Sequence, residues 1–217
     1  IATELTVRLF SLRSFATGIA FTKTETLQIA LVSAVVLGET VSARGFFAIT
    51  LGFAGVLVLS RLPAAGAARL GKPVILGLVA GGLFAVAATA YRGATLALEP
   101  APYLSRALFA LAAATSLQTV IMSLWLSIVE PGEIRRVLHG WKRTAPVGIL
   151  GLLGSLGWFA AFSLQNAAYV RALGQIEVVF TLLASILYFR ERLGPREMAG
   201  ILLITLSVVV LVLEVAR

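Results

Sequence analysis

Two acids in this chain stand where a carboxylate is costly. Glu25 opens the uncharged run TLQIALVSAVVLG, which closes at Glu39, and Glu177 opens a second, VVFTLLASILYF, which closes at Arg190 and Glu191. A polar residue precedes each acid by two positions, Lys23 in one case and Gln175 in the other. A helix from Glu25 to Glu39 covers roughly 21 Å, against about 30 Å for the hydrocarbon core of a bilayer. Helices this short are expected to start below the membrane surface, in a polar cavity or a dip in the bilayer. A glutamate there gains about 0.3–1 kcal/mol from the positive end of the helix dipole. A low dielectric acts in the other direction and favours the neutral acid, the property a proton-coupled carrier uses. Lys23 and Glu25 then form one polar pole of a pathway, and Gln175 and Glu177 the other. The alternative is structural: each acid caps its helix and pairs with a nearby base such as Lys23 or Arg171.

Further polar groups join these within apolar surroundings. In SLGWFAAFSLQNAAYVRALGQIE, Ser155, Trp158, Phe162, Gln165 and Tyr169 recur at spacings of three or four, and Asn166 borders them. An aromatic stripe alone reads as packing. Two amides beside it favour a cavity wall, because an amide facing lipid lacks partners. Gln118, midway along SLQTVIMSLW, is placed to face that wall from a neighbouring helix. Tyr91 and Arg92 offer a further binding pair. Arg8, Arg13, Arg92 and Arg106 all divide between lining a pathway and extending to the headgroups, as arginine does near helix ends.

Composition sets the class to which these groups belong. Of 217 residues, 59% are hydrophobic and 13% charged, with a mean hydropathy of +0.97. A soluble domain carries charge on about a quarter of its positions. The expectation is an all-α, polytopic membrane protein of the cell membrane, in a bacterium the inner membrane. The net charge of +8 lies mostly in short connections, where it reads as a topology signal and not as a nucleic-acid surface. Cysteine and aspartate are absent, and the one histidine, His139, sits in the polar connection PGEIRRVLHGWKRTAP as an interfacial residue. That inventory lacks the parts for metal hydrolysis or a histidine-based triad, so no catalytic residue, metal or cofactor is expected. No GxxxxGK[ST] loop occurs to couple ATP directly.

Eight apolar spans follow from the punctuation: 5–21, 25–38, 44–60, 73–98, 102–129, 145–170, 175–189 and 196–215. The stretch 61–72, RLPAAGAARLGK, reads as a linker. A shift of 152 positions superimposes Glu25 on Glu177, Glu39 on Glu191 and Arg44 on Arg196, among eleven identities over residues 20–59. Apolar identities recur by chance in membrane sequence, but two glutamates and an arginine at fixed spacing indicate a repeat. The second copy holds five spans and the first holds three, so the expectation is that two further helices precede Ile1. Copies with an odd number of spans enter the bilayer from opposite sides, which makes the repeat inverted. Counting basic residues on alternate sides gives eleven against three and assigns the larger set to the cytoplasm.

The segments GETVSARGFFAITLGFAGVLVLS and RERLGPREMAGILLITLSVVVLVL resemble the ends of the two EamA-like repeats of the drug/metabolite transporter superfamily. In each, a glutamate closes the fourth helix and a basic turn leads into the fifth. The resemblance implies a ten-helix transporter of five plus five, with residues 1–60 as the end of the first repeat, 61–72 as linker and 73–217 as the complete second repeat. It implies a secondary transporter, an exporter or exchanger of a small polar or amphipathic metabolite working by alternating access. A net basic cavity would favour anionic or zwitterionic cargo. The alternative class is an intramembrane enzyme acting on a lipid or isoprenoid carrier. The partners expected are the small-molecule substrate, with protons as the coupling option, the lipid bilayer and, as an open option, a second copy in a homodimer; nucleic acid is not among them.

Overall fold

The computed structural model describes residues 2–10, 21–59, 72–180, 183 and 194–216, all without strand. The expected linker 61–72 apart from Lys72, Arg13, Glu191 and nearly all of the seventh span beyond residue 180 lie outside these residues, as does the side chain of Arg8. The helices are α1 (Ala2–Phe10), α2 (Glu25–Leu37), α3 (Ala43–Leu59), α4 (Lys72–Leu96), α5 (Tyr103–Val129), α6 (Glu133–His139), α7 (Trp141–Leu164), α8 (Ala167–Gly174) and α9 (Pro195–Val215). Residues 176–180 are helical again after a turn at Gln175. Among the described residues, four stretches are long and apolar enough to cross a bilayer: Lys72–Leu96, Tyr103–Val129, Thr144–Leu164 and Pro195–Val215. The α2 helix is short, as expected, and its 13 residues cover only about 20 Å. It stops at Gly38, whose φ of 68° closes the helix in the left-handed conformation that glycine adopts without steric cost.

The chain divides into two compact units, one of residues 1–90 and 166–217, the other of residues 91–165. In the first, α3 packs along α9. Small residues line both faces: Gly45, Ala48, Gly52 and Gly55 on α3, Gly200 and Ser207 on α9. A Cβ added to Gly55 would lie 3.0 Å from the Gly200 carbonyl oxygen and 2.8 Å from the Ile204 side chain. Helix backbones therefore meet with no side chain between them, the usual solution where lipid offers no hydrophobic drive for association. Val56, Ile204 and Val179 form the adjoining core. Gly55→Leu should cost about 1–3 kcal/mol or more, read as a lower unfolding midpoint of the detergent-purified protein. An unchanged midpoint would mean that this crossing is loose.

In the second unit α5 packs against α7 around Ala107, Ala110, Leu111 and Phe159, with Tyr91 and Leu156 at the margin. The outer halves of both helices expose apolar side chains, among them Leu117, Ile121, Ile128, Val147 and Leu150. That is the surface expected of helices whose solvent is lipid.

Candidate functional site

One expectation fails at the backbone. The span 145–170 is not one helix: α7 ends at Leu164, Gln165 is extended (φ −142°, ψ 158°), and Asn166 begins α8 as its N-cap. The Asn166 Oδ1 accepts the Ala168 N–H at 2.8 Å, which satisfies one of the open donors at the start of α8. Ser155, Trp158, Phe162, Gln165 and Tyr169 therefore do not form one stripe. Trp158 and Phe162 do stay together, with ring centroids 6.1 Å apart, but Phe162 is buried at 3% exposure. Tyr169 lies on α8, where its hydroxyl donates to Ser42 Oγ at 3.3 Å and accepts the Ser42 N–H at 3.1 Å. Ser42 Oγ in turn donates to Glu214 at 2.7 Å.

Two arginines of the second unit, Arg92 and Arg106, have structural work. Arg92 donates to the Phe162 carbonyl at 2.6 Å, and Thr95 Oγ1 donates to the same oxygen at 3.2 Å. Arg106 donates to the Ser163 carbonyl at 3.0 Å while its other terminal nitrogen holds Glu99 at 2.6 Å. Both cations thus sit on the last open carbonyls of α7, the negative end of its dipole. Arg92 is thus engaged by a backbone carbonyl. Tyr91 stacks on Phe159 at 4.7 Å and accepts the Gln118 amide at 3.2 Å. Gln118 itself is exposed.

The acids of the first unit are brought together, and crosswise. Two backbone turns, at Lys23–Thr24 and at Gln175, interrupt the helical winding immediately before Glu25 and Glu177. From the first copy Lys23 reaches Glu177 at 3.4 Å, and from the second Arg171 reaches Glu25 at 2.5 Å. Gln175 Nε2 donates to Thr26 Oγ1 at 3.2 Å between them. Helix polarity explains the arrangement: Glu25 stands in the first turn of α2 and Arg171 in the last turn of α8, each at the end whose dipole favours its charge. The two pairs differ in depth. The Glu25 side chain is 10% exposed and that of Glu177 63%. Thr26 and Gln175 are buried beside the deeper pair. A Cβ added to Gly52 would lie 2.6 Å from Gln175 Oε1 and 2.7 Å from Ser207 Oγ, so glycine is what lets α3 approach this cluster. Gln28 ties the same region to α4 by donating to the Leu78 carbonyl at 3.3 Å.

Lys23, Glu25, Gln175 and Glu177 from the sequence reading thus converge, while Tyr91, Arg92, Gln118, Trp158 and Phe162 belong to the other unit. Thr26 and Arg171 were not among the binding candidates. Arg171 had appeared only as a possible capping partner, because a basic residue three positions before Gly174 reads as an ordinary helix C-terminus.

The sequence profile of the EamA-like transporter family matches residues 71–213, about two thirds of the chain. The chain belongs to the EamA-like transporter family. This EamA-like chain also resembles a solved crystal structure with a TM-score of 0.65 at 19% identity, over 100% of this chain and 73% of that one, a likeness of fold. No curated protein sequence matches it. A membrane transporter fold accounts for the four long apolar helices.

Proposed function

We propose that this EamA-like protein is a secondary transporter that moves a small zwitterionic metabolite by alternating access, with Glu25, Arg171, Lys23, Glu177 and Gln175 as the polar centre of its pathway. The observation that carries the reading is the pair of buried Glu25 with partly buried Arg171, because a charge held inside an apolar helical body is retained for a substrate or ion path. The crossed pairs present two cations and two anions, so the centre is not net basic as the sequence suggested. With Arg92 and Arg106 bound to the end of α7, what remains is balanced. A zwitterion can replace both intramolecular partners at once, its carboxylate taking Arg171 and its cation taking Glu25, without leaving either side chain unpaired. A monoanion or monocation would satisfy one and strand the other.

The inverted repeat expected from the sequence would suit alternating access, and the paired turns 152 residues apart agree in position with that repeat. The sequence reading left the coupling role open to either acid. The depth of the two carboxylates makes Glu25 the better candidate, since Glu177 is the more exposed.

Counterflow into proteoliposomes is the test, with labelled neutral amino acids compared with monocarboxylates and organic cations. Zwitterions should exchange preferentially. Glu25→Gln should lower that exchange by about tenfold or more, the effect of losing a charge-assisted contact of about 1.5–3 kcal/mol. Glu177→Gln, at an exposed pair worth about 0–1 kcal/mol, should lower it by about fivefold at most. Equal effects of the two, or no preference for zwitterions, would sink the proposal.

A further inference from the structure

The connection between α5 and α7 has a pattern that transport leaves unused. Ile134, Val137, Leu138 and Trp141 recur at i, i+3, i+4 and i+7, the spacing of one helical face. The winding passes from α6 into α7 almost without interruption: Gly140, at φ −86° and ψ 4°, donates its N–H to the carbonyls of Arg136 and Val137, each at 3.1 Å. Ile134 is partly covered, and the other three side chains of the face are exposed. Val137 is 52%, Leu138 65% and Trp141 58% exposed. Arg135 and Lys142, seven positions apart, flank one edge of this apolar strip, and both are exposed. Glu133 offsets Arg136 at 2.7 Å, whereas Arg135 and Lys142 have no carboxylate within ion-pair distance among the described residues.

Depth agrees with this chemistry. The apolar stretch of α7 begins at Thr144, and α5, with 27 residues, is about 40 Å long, more than the hydrocarbon thickness. The end of α5 and the start of α7 therefore reach the headgroup layer, and α6 lies between them. Trp125 and Trp141 are both exposed near this end, where amphipathic rings settle at the membrane–water boundary.

We propose that α6 and the residues leading into α7 form a docking surface for anionic phospholipid, with Ile134, Val137, Leu138 and Trp141 among the acyl chains and Arg135 and Lys142 on the headgroup phosphates. Charge complementarity selects the occupant: an exposed apolar strip calls for a hydrocarbon surface, and two cations along its edge call for a negative one. Zwitterionic lipid would serve the strip and leave the cations without net attraction.

The test uses the full chain in mixed micelles, with the unfolding midpoint followed as phosphatidylglycerol replaces phosphatidylcholine. The wild type should be stabilised by the anionic lipid. Arg135→Gln/Lys142→Gln should raise the half-saturating fraction about 25-fold, from about fivefold per basic residue near an anionic surface. Inorganic phosphate should give no protection. A second measurement is independent of unfolding: with Trp125→Phe and Trp158→Phe, the remaining Trp141 emission should be quenched by brominated acyl chains more than by aqueous acrylamide. An unshifted half-saturation in the double variant, or equal protection by inorganic phosphate, overturns the proposal. So does a Trp141 reached only from water, which would indicate a solvated loop or a protein partner.

Discussion

Arg171→Met is expected to lower stability by about 3–5 kcal/mol, more than any other single substitution at the pathway centre. The cost does not come mainly from the lost contact. It comes from the Glu25 carboxylate, which is 10% exposed and would be left in a low dielectric without its counter-charge. Removing both charges tests this directly. Glu25→Leu/Arg171→Met replaces the pair by apolar groups of similar size, and such exchanges are about neutral or stabilising. The double variant should therefore unfold near the wild-type midpoint while its counterflow is lost. Purified protein in detergent, followed by thermal unfolding and then by reconstituted exchange, supplies both readings. If the double variant is as unstable as Arg171→Met, the arginine supports the fold through other contacts and the buried-charge explanation fails. If it is stable and still exchanges substrate, the pair is structural and the pathway lies elsewhere.

The second large effect belongs to Arg106. Its side chain is 11% exposed and links the Glu99 carboxylate at 2.6 Å to the Ser163 carbonyl at 3.0 Å. Arg106→Ala removes two charge-assisted bonds and leaves a buried carbonyl at the end of α7 unpartnered, a loss of about 1.5–3 kcal/mol for the carbonyl bond and about 0–1 kcal/mol for the bond to the exposed Glu99. Arg92→Ala should cost less, because Thr95 Oγ1 still donates to the Phe162 carbonyl at 3.2 Å. Thermal midpoints of the two variants should therefore rank Arg106→Ala below Arg92→Ala. A reversed order would show that the cap on Phe162 matters more than its geometry indicates.

Most of the helical order was legible because the apolar runs are long and their ends carry charge or glycine. The short α2, with Glu25 at its head and Gly38 at its stop, matched the residues closely. The break before α8 was not, since AAFSLQNAAYV contains neither proline nor glycine and keeps its helical spacing through Leu164. The available signal was Asn166 followed by two alanines, a polar N-cap before good helix formers. The crossing of the two ion pairs was also out of reach. Periodicity shows which residues share a face on one helix, and it carries no information about which helix lies opposite. The same limit hid the use of Arg92 and Arg106: each reads as a cation near a helix end, and only tertiary structure supplies the carbonyl ends of α7 as their targets.

The glycine contact between α3 and α9 restricts how this protein can move. Where Gly55 and Gly200 bring two backbones together, no deformable layer remains through which one helix could slide along the other. In the alternating-access cycle proposed above, these two helices would travel as a keel. The bending then falls to the interrupted segments at Lys23–Thr24 and Gln175, which sit beside the charges that would have to change partners.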